Sequence, residues 1–265
     1  MDKVWTVEEL RAQLRELEWL RGKVVHIHSS LRAVGPVEGR GEALLALLIE
    51  FFTRDGGLLT IPTHTWDSWG VDLRDSYTCV GTLSRLASAH PMATRSAHPS
   101  HSMAVFGDPR RVATFVEGDA RATTPAPRTG CYGKLDTEDG YVLLLGVGHN
   151  RNTFLHAVEE AMDVPNRLSR EPVEKTVIHR DGRVEKRWIH HHAAKGIEDV
   201  SANYPKLEPA FRAAGCITDA RLGNAPLQIA SARRLRAVFE AVIRASSGTE
   251  LFADLTPLDP ALYGK

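Results

Sequence analysis

The chain has 265 residues, enough to bury a sizeable core as one large domain or two small ones. Its 33 basic and 33 acidic side chains balance to zero, which argues against nucleic-acid binding by bulk charge and gives no general attraction for polycations. Three cysteines at irregular positions (Cys79, Cys131, Cys216) offer neither a disulfide framework nor a metal spacing, and no apolar run approaches the ~18 residues that span a bilayer. The N-terminus starts polar and lacks a signal-peptide core, so the expectation is a cytoplasmic protein with no membrane and no nucleic-acid partner.

Thr6-Val7-Glu8-Glu9 has the form of a capping box and predicts a helix to about residue 20, with Leu10, Leu14 and Leu17 on one face. Residues 23–28 read as a strand, since Val24 and Val25 are β-branched. His28-Ser29-Ser30-Leu31 then stands at the strand's C-terminal end, where open α/β sheets bind ligands. The hydroxyls and imidazole suit a polar ligand or, equally well, a turn that satisfies its own backbone.

Residues 39–54 predict a helix with a Leu44, Leu45, Leu48, Phe51, Phe52 stripe, stopped by Asp55-Gly56-Gly57. A strand over 57–62 leads into Thr63-His64-Thr65-Trp66. The following Asp67, Trp69, Asp72 and Asp75 make an acidic, aromatic stretch able to receive a cationic ligand, although a solvated loop is the simpler reading. After a short helix over 82–89 comes Arg95-Ser96-Ala97-His98-Pro99-Ser100-His101-Ser102. It is the best candidate in the chain for a phosphate contact, with one cation and several donors on irregular backbone. It has no Walker glycines. His98 and His101 lack a carboxylate or cysteine at metal spacing, so no metal is expected.

A strand over 103–106, a helix over 109–116 and a Pro/Gly-rich loop over 123–134 precede the central motif. There the apolar run 141–145 reads as a buried strand, Gly146-Val147-Gly148 turns the chain, and Asn152 or Thr153 can cap a helix carrying His156, Glu159 and Glu160. Spacings of three and four put both carboxylates beside the imidazole. The helix N-terminus disfavours imidazolium, while a neighbouring carboxylate fixes the tautomer and supports the cation once a proton arrives. A plain core histidine is the competing reading of His156.

After Arg167 the pattern changes. Residues 173–178 and 183–189 alternate around Asp181-Gly182, a strong hairpin signal. The triplet His190-His191-His192 cannot bind one ion together, because adjacent residues of extended chain face opposite ways; one member can reach the cleft. A helix over 205–214, a strand pair over 216–229 and a final helix capped by Ser231 close the chain. The expected fold is three-layer α/β/α around a central, mostly parallel sheet, divided into a core over 1–168 and a smaller C-terminal α+β lobe over 169–265.

The series His28-Ser29-Ser30-Leu31, Arg95-Ser96-x-His98-Pro99-x-x-Ser102, Tyr132-Gly133-Lys134, Leu143-Leu144-Leu145-Gly146 and Thr153-Phe154-Leu155-His156-x-x-x-Glu160 resembles the aminoglycoside 3-N-acetyltransferase family. The match covers residues 24–168, and several motifs in order are far more specific than one. The resemblance implies the antibiotic N-acetyltransferase fold, distinct from GNAT, and transfer of acetyl or a related acyl group from coenzyme A to a small-molecule amine without a metal. It also implies His156 as base, oriented by Glu159 or Glu160, with Thr153 near the thioester. His28, Ser29, Ser30, Leu31, Arg95, Ser96, His98 and Ser102 would hold acetyl-CoA, and Thr65, Trp66 and Asp67 would face the acceptor; a homodimer is left open. Zero net charge and a basic stretch over 167–192 keep a second reading alive, a biosynthetic N-acyltransferase acting on a less cationic amine. Two other classes remain at this stage: a metal-dependent hydrolase using the histidines, and a protein that holds acyl-CoA without turnover.

Overall fold

The computed structural model describes residues 3–264. In chain order the elements are α1 (Val7–Arg15), β1 (Val24–Ser29), α2 (Leu31–Val34), α3 (Arg40–Phe52), β2 (Leu58–Pro62), β3 (Gly70–Asp72), α4 (Thr82–Ala89), β4 (Thr94–Arg95), β5 (Met103–Phe106), α5 (Pro109–Val116), α6 (Cys131–Lys134), β6 (Tyr141–Leu145), α7 (Phe154–Ala161), β7 (Val173–Ile178), β8 (Val184–Ile189), α8 (Glu208–Ala213), β9 (Ile217–Leu222), β10 (Ala225–Ser231) and α9 (Ala232–Ala245). The Thr6 capping box closes as its sequence requires: the Thr6 hydroxyl accepts from Glu9 N–H and the Glu9 carboxylate accepts from Thr6 N–H.

Seven strands form the main sheet in the order β4-β5-β2-β1-β6-β10-β9. β2, β1 and β6 are parallel at its centre, and β5 and β10 run against them on either side. The outer strands β4 and β9 reverse again, so five of the seven strands share one direction. The two-residue period sorts side chains between two cores. Val25, Ile27, Leu143 and Leu145 pack with Leu10 and Leu14 of α1, Leu44, Leu48 and Phe52 of α3, and Leu83 of α4. Val24, Val142 and Leu144 face the opposite layer, with Phe115 of α5, Phe154 and Val158 of α7, and Leu235 and Phe239 of α9. Helices thus cover both faces, as a sheet buried on both sides demands. Each fully buried Leu or Phe contributes roughly 1.5–3 kcal/mol. On β1 the same alternation brings His26 and His28 to the face of Val24, so two imidazoles enter an otherwise apolar layer.

The boundary expected at residue 168 does not divide the sheets. β9, β10 and α9 complete the main sheet instead of a separate lobe. Ala225, Leu227 and Ile229 alternate along β10, and pairing with β6 is what buries them. Only β7 and β8 stand apart, in a three-stranded sheet with β3. β3 lies in a segment whose polar sequence hides a strand. Gly70 lets it approach β7, since a Cβ there would lie 1.9 Å from the Thr176 carbonyl oxygen. Among the described residues no helix is long and apolar enough to cross a membrane.

Candidate active site

A cavity of about 1250 Å³ opens at the C-terminal ends of β1, β2 and β6. Its walls come from the turn after β1, the loop after β2, the segment between β6 and α7, and the β7–β8 sheet. The turn out of β6 depends on Gly146, whose φ is +66° and whose place, given a Cβ, would lie 2.4 Å from Ala33 Cβ. That turn delivers Asn152, Thr153 and His156 to the cavity wall.

His156 lies on the first turn of α7, its side chain 14% exposed. Its Nδ1 is 2.7 Å from the Tyr204 hydroxyl, which in turn donates to Glu159. The direct distance from Nδ1 to Glu159 Oε2 is longer, 3.5 Å. A phenol has one proton, and here the carboxylate takes it. The Tyr204 oxygen is left as an acceptor, so His156 carries its proton on Nδ1 and keeps the Nε2 lone pair for chemistry. Behind this relay, Arg167 Nε meets Glu159 at 2.8 Å and an Arg167 terminal nitrogen meets Glu250 at 2.7 Å. Burial pulls the Arg167 pKa down, yet Glu250 and Glu159 outweigh it and the net shift is upward.

Uncharged rings line the flank of His156. His192 lies against it, centroids 3.9 Å apart and planes tilted by 31°. His101 follows at 5.1 Å from His192, and His64 at 4.6 Å from His101. His64 Nε2 is 2.6 Å from the Tyr132 hydroxyl, whose ring also touches His26. His26 is 3.0 Å, nitrogen to nitrogen, from His28. Burial above all drives these pKa values down: His26 to about 3, and His28, His64, His101 and His192 well below the ordinary range. Among the described residues no three His, Cys, Asp or Glu side chains converge as metal ligands.

The structure brings together part of the site expected from sequence. His28, Ser29, Ser30, Leu31, Trp66, Thr153 and His156 all line the cavity. Ser30 also caps α2 by accepting from Ala33 N–H. Glu159 faces His156 through Tyr204, whereas Glu160 turns away to accept from Thr124 Oγ1 at 2.6 Å and Ala126 N–H at 2.9 Å. Arg95, Ser96, His98 and Ser102 do not reach the cavity and are consumed within the fold. The buried Arg95 guanidinium donates to Ser102 Oγ and to the carbonyls of Thr63 and Tyr77. Ser96 Oγ accepts from Met103 N–H, and His98 Nδ1 accepts from Ser100 and His101 N–H. Thr65 is buried and donates to the Pro99 carbonyl, while Asp67 faces outward and accepts from the Tyr77 hydroxyl. Asp67 apart, the physical reason is common: irregular backbone must satisfy its own polar groups, and these side chains do that.

Sequence reasoning missed Tyr204 and Arg167. Tyr204 sits in a 3-10 stretch, Val200–Leu207, whose buried Val200, Tyr204 and Leu207 recur at four- and three-residue spacing. That period was there to be read and marks an inward face. Nothing local marks Arg167 as the partner of Glu159.

Solved structures share this architecture. The chain is similar to AAC-IIIb with CoASH over 94% of its own length and 99% of that chain, at 19% identity and a TM-score of 0.79. It is similar to the aminoglycoside acetyltransferase AAC(3)-IVa in complex with a gentamicin over 97% and 99%, at 24% identity and a TM-score of 0.77. The fold is therefore that of the acetyltransferases outside the GNAT group. Curated relatives include aminoglycoside N(3)-acetyltransferase III of Serratia marcescens, 30% identical over 69% of this chain and 73% of that protein, and aminoglycoside N(3)-acetyltransferase IV of a Salmonella species, 33% identical over 62% of each. The model of the aminoglycoside 3-N-acetyltransferase family matches residues 27–244, and the chain belongs to that family and is an acyltransferase.

Proposed function

We propose that this enzyme transfers an acyl group, acetyl in the simplest case, from coenzyme A to the amine of a small molecule in one ternary complex. The observation that carries the reading is the hydrogen-bonded series Glu159, Tyr204, His156, which leaves one basic nitrogen at the cavity wall. His156 Nε2 takes a proton from the amine as its nitrogen bonds to the thioester carbon. The tetrahedral intermediate then expels the coenzyme A thiolate, and His156 returns the proton to sulfur. Glu159, through Tyr204, supports the imidazolium in between. Ser29, Ser30 and Leu31 hold the pantetheine arm, Arg32 and Arg151 offer cationic groups to the cofactor phosphates, and Thr153 lies near the thioester. Arg95, Ser96, His98 and Ser102 act by fixing the loops around the cavity. The CoASH complex of the similar AAC-IIIb supports this choice of acyl donor.

A double-displacement route through cysteine has little support. Burial raises the Cys79 thiol to about 11 and the Cys131 thiol well above its usual value, so neither is a ready nucleophile.

Aminoglycosides are the acceptors named for relatives, a gentamicin among them. A second reading has a specific observation behind it. Asp72 is paired with Arg74 and Asp67 is bonded to Tyr77, while Lys175, its ammonium donating to the Trp66 and Ser68 carbonyls, stands on the cavity wall. Only Glu198 and Asp199 offer carboxylates from the lining residues outside the His156 relay. This balance favours an acceptor with fewer positive charges, as a biosynthetic N-acyltransferase would take.

The test is coenzyme A release, read by free thiol across a panel of aminoglycosides and simpler amines. His156→Ala should lower turnover by about two to four orders of magnitude, the usual worth of a general base, with coenzyme A affinity little changed. Normal turnover by that variant would remove the role given to His156.

A further inference from the structure

His192 is a buried polar ring that the relay through Tyr204 does not use. It lines the cavity, and neither of its ring nitrogens has a hydrogen-bond partner within the protein. An unsatisfied buried polar group costs about 1–3 kcal/mol. The ring is nonetheless held in place, because the surrounding backbone is tied down on both sides. Leu168 and His192 form an antiparallel bridge, Ala193 N–H donates to the Arg167 carbonyl, and Ser169 N–H donates to the His191 carbonyl. The segment that fixes His192 is therefore the one that carries Arg167 to Glu159. What His192 does with its ring is pack against the His156 ring, centroids 3.9 Å apart and planes tilted by 31°.

We propose that His192 is a positioning residue whose uncharged aromatic face holds the His156 ring and stabilises its imidazolium while the proton of the amine is in transit. The inference rests on the acyl-transfer reading, but it concerns a residue outside the relay through Tyr204. A π face attracts a cation set against it, and the attraction is strongest where water is excluded. The sign holds only if His192 is itself neutral, and burial secures that. Other groups face His156 as well. Glu159 and Glu160 share α7, Tyr204 and Arg167 stand behind, and His64 and His101 lie beyond His192. The carboxylates act on any His192 variant equally, so a comparison among His192 variants isolates the face.

The experiment compares His192→Phe, which keeps a flat aromatic ring, with His192→Leu, which fills similar space without one. Activity should rise with pH as His156 loses its proton. In the Leu variant that rise should move to lower pH by roughly 0.5–1.5 units, the shift equivalent to a partly desolvated cation–π contact. The Phe variant should stay within about 0.3 units of the native protein, the low end of such contacts. Should Leu prevent folding, His192→Gln is the non-aromatic member. Ring NMR titration of His156 in the same proteins reads the shift without turnover. If Phe and Leu variants titrate alike, the aromatic face does nothing and the proposal is overturned. If no amine supports thiol release but the NMR shift appears, the acyl-transfer reading fails and the stacking role survives.

Discussion

His156 stands between two regions that bury ionisable groups in opposite ways. Behind it, Glu159 is 1% exposed and yet meets Arg167, which meets Glu250, so a row of opposite charges enters the interior together. Beside it, His28, His64, His101 and His192 enter with no carboxylate and stay neutral. The contrast follows from solvation. An ion leaves water at a cost of several kcal/mol, repaid only by a close counter-ion and hydrogen bonds. A titratable ring without such a partner gives up its charge instead. His26, His28, His64, His98, His101 and His192 lie at the same end of the sheet as His156, and of these seven His156 alone is wired to a carboxylate. Selection of the base is thus a matter of partners, and the neutrality of the others leaves no second imidazolium beside His156.

Acid should break the neutral region first, and this is the largest effect expected. Each of His26, His28, His64, His101 and His192 has its folded pKa pushed below the usual 6.5, His26 to about 3. Well above pH 6.5 neither folded nor unfolded rings carry protons, so stability is untouched. As pH falls below 6.5 the unfolded chain binds protons that the native state refuses, and stability drops by about 1.4 kcal/mol per pH unit for each ring. The losses from the five rings add, and they fall on a typical reserve of only about 5–15 kcal/mol. Circular dichroism during an acid titration should therefore show stability falling as pH drops below 6.5 and unfolding before about pH 4. A native spectrum retained at pH 4 would mean that these rings are solvated or paired, and the contrast between the two regions would go.

The next effect sharpens the contrast by cutting the link between the charged row and the base. Tyr204→Phe keeps the ring packed against Phe252 and Phe239 but removes the hydroxyl. Glu159 loses a donor, and His156 Nδ1 loses its acceptor. A buried group left without its partner forfeits about 1–3 kcal/mol, which applied to the barrier is roughly a 5- to 150-fold fall in kcat. Coenzyme A affinity, measured by calorimetry, should stay level. An unaltered kcat would show that the carboxylate reaches the imidazole without the phenol.

Much of this was written in local pattern. The strand over Tyr141–Leu145, the helix over Thr82–Ala89 and the hairpin around Asp181-Gly182 lie where period and punctuation place them. The motif residues Ser29, Ser30, Leu31, Thr153 and His156 meet at one cavity. What was not legible depends on distance along the chain. Tyr204 is 48 residues from His156, and nothing near it names its partner. Glu159 and Glu160 are equivalent by spacing; which one faces the imidazole is decided by how α7 packs. The Arg95 segment carries the residue types of an anion site, but the same donors serve a loop's own carbonyls, and sequence has no means of telling the two uses apart. The lobe boundary failed similarly, since pairing of β10 with β6 is a long-range choice.

Glu160 supplies the smallest effect and the most selective one. Burial raises its pKa, against the two donors that hold it, Thr124 and Ala126. Substitution by glutamine can keep both contacts: the amide oxygen accepts from Ala126 N–H, and the amide nitrogen donates to Thr124 Oγ1 once that hydroxyl turns round. Two charge-assisted bonds become neutral ones, but a carboxyl already strained by burial is also removed, so the net change in stability should be under about 1 kcal/mol. Turnover should stay within about threefold of the native enzyme, since a difference that size is under 1 kcal/mol of barrier. The value of Glu160→Gln lies in its pairing with Tyr204→Phe. Glu160→Gln alters one of the two glutamates that spacing made indistinguishable, Tyr204→Phe cuts the link to the other, and only the second breaks the relay. If Glu160→Gln slowed the reaction as much as Tyr204→Phe, the imidazole would be answering to the helix face as a whole, and the assignment of Glu159 as its carboxylate would fall.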